Sequence, residues 1–321
     1  MIGNPAVSVI VDAYNKGIRD FDIDKAYEYS KNSLEKFGNG DRGDALTISK
    51  TLEYSYFEWC LGQFADKLGK NEDAEKYLKR SQSYRNIFDP KVGWFRPKKE
   101  DGVWEAWPER GRLQQGYGCI ESNPYQQGWF VPHDVNGLAE LLGGKEKMIA
   151  DLTSFFEKTP ENMMWNDYYN HPNEPVHQVP FMFNRLGVPW LTQKWVREIC
   201  ERAYHNKVEG LVGNEDVGQM SAWYVLASIG LHPVCPGDMR YEICSSLFEK
   251  VIIRLDPKYA KGTTFTVLTH NNSAKNIYIQ SAKLNGKTYD KCWINHQDIV
   301  NEGALELTMG DKPNVNWGKQ E

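Results

Sequence analysis

The stretch VEGLVGNEDVGQMSAWYVLASIGLHPV (208–234) is the hinge of the sequence. Glycines at 210 and 213 free the backbone to turn, and Asn214, Glu215 and Asp216 then precede a strongly apolar run. Within that run Met220, Trp223, Tyr224 and Ala227 recur at helical spacing, which predicts a helix over 217–230. An Asn or Asp at its mouth caps free N–H groups of the first turn, and Asn214 suits that role. Two adjacent carboxylates beside a capping Asn exceed what a cap requires. Ser221, Trp223 and Tyr224 also suit a wall on which a sugar ring stacks, because aromatic faces offer C–H contact while polar neighbours read hydroxyls.

Upstream the period is helical. Residues 5–17, a run capped by Asp22 or Asp24 and continuing through Phe37, residues 47–68 and the stretch after Gly69 read as helices, the last two forming an αα-hairpin. Further helices are expected at 135–143, 144–158, 178–187 and 191–206. After Pro233 the period changes: YEIC, KVIIRLD, TTFTVLTH, NIYIQSAKLNG and LELTMG are short β-branched or aromatic runs broken by Gly, Asn and Lys. They predict an antiparallel sheet with hairpins. The expected organisation is a mainly α chain, about nine helices over 1–234, followed by a small antiparallel β appendage over 235–321. An array of antiparallel hairpins with long loops at one end is what an α/α toroid gives. The loops 89–134, 159–178 and 208–217 are its functional candidates, since irregular segments of such length are uncommon in compact domains.

Composition bounds the function. The 321 residues are 40% hydrophobic, enough for a sizeable core, and a net charge of −5 leaves no basic footprint for nucleic acid. No apolar run approaches the roughly 18 residues that span a bilayer, so no membrane insertion is expected. The opening residues lack the pattern of a signal peptide and read like the middle of a domain. Six scattered cysteines without CxxC spacing argue against zinc or iron–sulfur sites, and Cys60 and Cys200 fall on apolar helix faces. His133, His205, His232, His270 and His296 have no zinc spacing and read as structural. Aromatic residues reach 13%, with 11 Trp, as carbohydrate binding or a large helical core would require.

A second constellation, YGCIESNPYQQGWFVPHDVNGLAELLGG (117–144), places Glu121 in a non-periodic loop rich in Trp and Tyr. An apolar surround raises a carboxyl pKa toward general-acid duty. Trp129 in the same loop is, with Trp223, an aromatic candidate for sugar contact, whereas Asp134 reads as the cap of the next helix. Hydrolysis of a glycosidic bond needs two carboxylates, one to protonate the departing oxygen and one to activate water. Spacing alone pairs Glu121 with Asp216 only weakly, because 43 acidic residues are present. A third cluster, NHPNEPVHQ (170–178), gathers Asn, Glu and His able to hold a hard cation or sugar hydroxyls, or to form an ordinary turn.

In combination these motifs resemble glycoside hydrolase family 92, the calcium-dependent exo-acting α-mannosidases. The resemblance spans essentially the entire chain and implies a six-hairpin barrel, of which this would be a partial toroid. It also implies the C-terminal part of the catalytic region, with an N-terminal β-sandwich and the first barrel helices lying upstream or on another chain. Met1 then resembles an internal methionine of the family's MIGNHA segment, with Pro5 replacing its His. The implied roles are Glu121 as general acid and Asp216 as general base of an inverting hydrolysis, with Asn214 or Glu215 supporting the base. Glu174 and His177 would contact the sugar, although Gln178 stands where the family commonly has a second His. Calcium ligands would come from Asn123, Asn173, Glu174 and Asp216. The implied substrate is α-1,2-linked mannose of N-glycans or mannan, in a bacterial periplasm or exterior. The alternatives are a non-catalytic glycan-binding or residual module, and a polysaccharide lyase using a Tyr, His or Lys base.

Overall fold

The computed structural model describes residues 2–319. By compactness the chain forms two units, Met1–Phe155 with Asp167–Tyr169 and Cys235–Asp238, and Phe156–Asn166 with Asn170–Val234 and Met239–Glu321. The expected boundary at 234/235 marks the change of period. Compactness divides the chain differently, placing residues 170–234 and the later strands in one unit.

The first unit is built on α3 (Ile48–Lys67), against which α1 (Ala6–Asn15), α2 (Ile23–Phe37) and α4 (Asn71–Arg80) pack. α3 buries residues around most of its circumference, including Leu52, Phe57, Cys60, Leu61 and Phe64, which is why its apolar pattern is so long. Of the two candidates Asp22 and Asp24, it is Asp22 that caps α2, accepting the Lys25 N–H at 3.1 Å. α3 and α4 approach closely at Gly62, where a Cβ would meet Leu78 at 2.9 Å.

The irregular stretch 89–134 is not featureless. β1 (Phe88–Asp89) pairs with β2 (Trp94–Phe95), and a four-residue α5 (Pro124–Gln127) follows before α6 (Val135–Leu141) and α7 (Lys145–Glu157). Asp134 caps α6 through the Gly137 N–H at 2.9 Å and also accepts the Tyr84 hydroxyl at 2.7 Å. Burial opposes ionisation there, but those two hydrogen bonds outweigh it and hold the carboxyl below its usual range.

In the second unit α8 (Met182–Arg185), α9 (Pro189–Arg202) and α10 (Gln219–Ile229) precede two sheets. β3 (Leu231–His232), β4 (Arg240–Ile243) and β9 (Trp293–Asn295) form a three-stranded antiparallel sheet in the order β3-β4-β9. The larger sheet runs β5 (Lys250–Arg254), β6 (Thr264–His270), β10 (Gly303–Gly310), β7 (Tyr278–Leu284) and β8 (Lys287–Thr288). The purely antiparallel expectation is corrected here, because β10 inserts between β6 and β7 and pairs parallel with β6. A short α11 (His296–Val300), absent from the expectation, packs Ile299 into the core with Phe265, Leu305 and Leu307. Glu242 is fully buried between Arg185 (2.5 Å) and Arg240 (2.9 Å), so its charge is matched on both sides.

Candidate active site

In the first unit Glu121 sits on the loop leading into α5. Its backbone is left-handed, φ 54°, and its side chain is exposed. The aromatic surround expected of it is therefore corrected: the neighbouring Trp and Tyr side chains pack together behind the loop. Trp129 is 0% exposed, its ring centroid 5.0 Å from that of Trp94 and packed with Tyr125 and Phe155. It is a core side chain and offers no face to a sugar. Asn123, expected as a metal ligand, is buried and forms a capping box: its Oδ1 accepts the Gln126 N–H at 2.9 Å and its Nδ2 donates to the Asp167 carbonyl at 3.0 Å. Both ends of that amide hold the chain in place.

In the second unit the 203–218 segment folds back on itself, with Val212 N–H donating to the Ala203 carbonyl and His205 N–H to that of Gly210. Asp216, Val217 and Gly218 are then left-handed in succession, with φ 49°, 60° and 90°. Glycine adopts that conformation freely; an Asp does so at some cost and a β-branched Val is an outlier. Asp216 and Val217 are exposed, as is Asn214. The cap expected from Asn214 is instead made by Glu215, whose carboxylate accepts the Ser221 N–H (3.2 Å) and Oγ–H (2.9 Å) on the first turn of α10. This placement combines charge with the helix dipole.

Behind the Asp216 loop lies a buried histidine and aromatic cluster. Gln219 Nε2 donates to His177 Nδ1 at 3.1 Å, so His177 keeps its proton on Nε2 and donates it to the His171 carbonyl at 2.9 Å. His171 Nε2 meets the Tyr204 hydroxyl at 2.7 Å, which in turn donates to the Met220 carbonyl. Burial pulls the His177 pKa down to about 4, against the opposing pull of the His171 carbonyl and the Asp216 charge. Burial, reinforced by His177 and His232, takes His171 well below the usual range. Burial likewise takes His232 down to about 3, so all three are neutral at pH 7. His177, expected as a sugar contact, is buried here and supports the α10 mouth.

Trp223 is buried in the same way: it is 1% exposed, donates Nε1–H to the His177 carbonyl at 2.9 Å and lies parallel to Tyr204. Asn173 is buried and Glu174 half-buried at the start of a single 3-10 turn. Among the described residues no three His, Cys, Asp or Glu side chains gather into a group able to hold a metal ion. Of the four oxygen donors expected for calcium, Asn123 is a cap, Asn173 and Glu174 are adjacent in sequence and Asp216 stands on an exposed loop, short of the six to eight oxygens the ion takes. The set does not make a calcium site by itself. Gln219, which the sequence alone does not single out, is the link between the Asp216 loop and His177; its place on the first turn after GNEDVG is the signal.

The family model described as the glycosyl hydrolase family 92 catalytic domain matches residues 1–311. The chain belongs to this family. A family 92 α-mannosidase from Bacteroides thetaiotaomicron is 34% identical with a TM-score of 0.89, the match covering 100% of this chain and 44% of that one. That enzyme's structure is also known in complex with mannoimidazole. A family 92 inverting mannosidase from the same bacterium is 33% identical, TM-score 0.89, over 100% of this chain and 47% of its own. An uncharacterised secreted glycosidase of Arthroderma benhamiae is 32% identical, over 98% of this chain and 46% of that protein. The chain thus spans less than half the length of these family 92 relatives. Among the described residues no helix is long and apolar enough to cross a membrane.

Proposed function

We propose that this chain carries the chemistry of an inverting exo-α-mannosidase, with Glu121 as general acid and Asp216 as general base. Glu121 donates its proton to the departing glycosidic oxygen, while Asp216 takes a proton from the water that attacks the anomeric carbon from the opposite face. The carboxyl groups of inverting enzymes stand about 6.5–9.5 Å apart to admit that water. The observation that carries the reading is backbone strain: each of the two carboxylates stands at a left-handed, non-glycine position on an exposed loop. Such conformations persist where the surrounding structure enforces them and cluster at active sites. Family membership supports the reaction class.

The proposal extends to α-1,2-linked mannose of N-glycans or mannan as substrate, to an α/α toroid as the helical architecture, and to action outside the cytoplasm. The last is in keeping with a relative named as secreted. Calcium belongs to the proposal only as a dependence to be tested, with Asn173, Glu174 and Asp216 as the donors left to it, and no step above passes through the ion. A glycan-binding or residual module without turnover is the second reading, favoured by the exposure of both carboxylates, which leaves neither in the apolar surround that suits a general acid.

The deciding experiment is mannose release from an α-1,2-mannobiose, with calcium and again with a chelator, by the wild type and by Glu121→Gln and Asp216→Asn. Loss of turnover in each folded variant is expected; full activity in either sinks the assignment. Sugar binding without release from the wild type selects the second reading, and release unaffected by chelation removes calcium.

A further inference from the structure

The loop that carries Glu121 is held on both sides by side chains of other elements. Ser49 lies in the first turn of α3, where a serine hydroxyl ordinarily serves its own helix. Here it reaches across to the loop instead: Ser49 Oγ accepts the Ile120 N–H at 3.0 Å and donates to Gln127 Oε1 at 3.0 Å. The Ser122 hydroxyl lies 3.3 Å from the same Gln127 oxygen and 3.1 Å from the Ile120 carbonyl. Gln127 Nε2 in turn points to Glu53 Oε1 at 3.4 Å. Backbone bonds from Ser49 N–H to the Gly118 carbonyl and from Gly116 N–H to that of Ser122 complete the frame. Ser49, Ser122 and Gln127 are all buried, whereas Glu121 between them is exposed.

Resting on the reading of Glu121 as the proton donor, we propose that Ser49, with Ser122 and Gln127, is a positioning residue that clamps Ile120 and Ser122 and so fixes the left-handed backbone from which Glu121 projects. A non-glycine residue at φ 54° relaxes toward right-handed or extended backbone unless its neighbours are pinned. The hydroxyl of Ser49 is suited to pin them because it accepts from the loop and donates to a rigid partner at once. Glu53 anchors the far end. Burial, only weakly opposed by Gln127, pushes its carboxyl up to about 8, so at neutral pH the clamp ends on an uncharged acid.

A misplaced acid has a chemical signature that a general loss of packing lacks. Departure of a sugar alkoxide needs a proton, whereas a dinitrophenolate departs without one. Ser49→Ala and Ser122→Ala are therefore compared with wild type and Glu121→Gln on an α-1,2-mannobiose and on a dinitrophenyl α-mannoside. The expected result is a loss of about tenfold or more in kcat on the mannobiose and under about threefold on the aryl mannoside for Ser49→Ala, with the larger but same-sided loss for Glu121→Gln. Equal losses on both substrates, or none, in Ser49→Ala while Glu121→Gln keeps the leaving-group dependence overturn the positioning role alone. Absence of that dependence in Glu121→Gln overturns the acid assignment and with it this inference. If the wild type releases no sugar, amide hydrogen exchange decides. Faster exchange at Ile120 in Ser49→Ala than in wild type supports the clamp, and unchanged exchange overturns it.

Discussion

Replacing Val217 by glycine should make the protein more stable. Val217 has φ 60° and its side chain is 100% exposed, so removing it forfeits no buried surface. Holding a non-glycine residue in the left-handed region costs about 1–2 kcal/mol, and a β-branched side chain lies at the upper end of that range. Glycine returns this strain but adds about 0.5–1 kcal/mol of backbone entropy to the unfolded chain. The balance is a stabilisation of about 0.5–1 kcal/mol, or a rise of roughly 1 °C in Tm for a chain of 321 residues. Urea denaturation of Val217→Gly, Val217→Asn and Val217→Ala at one pH checks it, with the order Gly and Asn above Ala and wild type. The same substitution frees the backbone next to Asp216, so turnover should fall while KM holds. A Val217→Gly protein less stable than wild type would refute the strain argument, and with it the principal support for reading the Asp216 loop as functional.

Two other outcomes follow from buried side chains. Glu53 (about 8) and Glu58 (about 7) both titrate above the ordinary carboxyl value because burial disfavours their charge. Between about pH 4.5 and those values the folded chain holds protons that the unfolded chain has released, so stability falls as pH rises through this window. Glu53→Gln should therefore gain stability over wild type at pH 8.5 and much less at pH 5; a gain equal at both pH values would remove Glu53 as a buried neutral acid. Trp129→Ala should cost about 3–5 kcal/mol in denaturation, as for a fully buried ring, while Trp129→Phe leaves sugar affinity within about twofold. A large affinity loss in a stable Trp129→Phe would restore Trp129 to the sugar site.

Much of the fold is legible because helical period and cap chemistry are local. Asp22 and Asp134 cap the helices that their positions predict, and the apolar pattern of α3 gives its length to within a residue. The longer strands of the second unit, β4 to β7 and β10, are legible for the same reason, whereas β3, β8 and β9, of two or three residues each, are too short to show a period. Their order is not: β10 joins β6 in parallel although β7, β8 and β9 intervene, and no residue of LELTMG records which neighbour it will have. The range 178–187, which reads as one helix, is instead a 3-10 turn at Val179–Phe181 followed by the four-residue α8, since Pro180 removes a donor that a continuous helix needs.

The candidate site shows where residue type and residue position part company. Glu121 and Asp216 are marked by chemistry, and both occupy strained loop positions. Trp129, Trp223 and His177 are marked by the same chemistry, yet all three are buried. For Trp223 the sequence held the answer: Met220, Trp223 and Ala227 share one helical face, and the periodicity that predicts a helix also predicts that this face points inward. An aromatic ring on the apolar stripe of its own helix belongs to the core before it belongs to a ligand. Asp216 and Val217 carry the converse signal. A chain that needs three left-handed residues in a row and has glycine only at the third, Gly218, has kept a carboxylate at a backbone cost that a turn alone would not require.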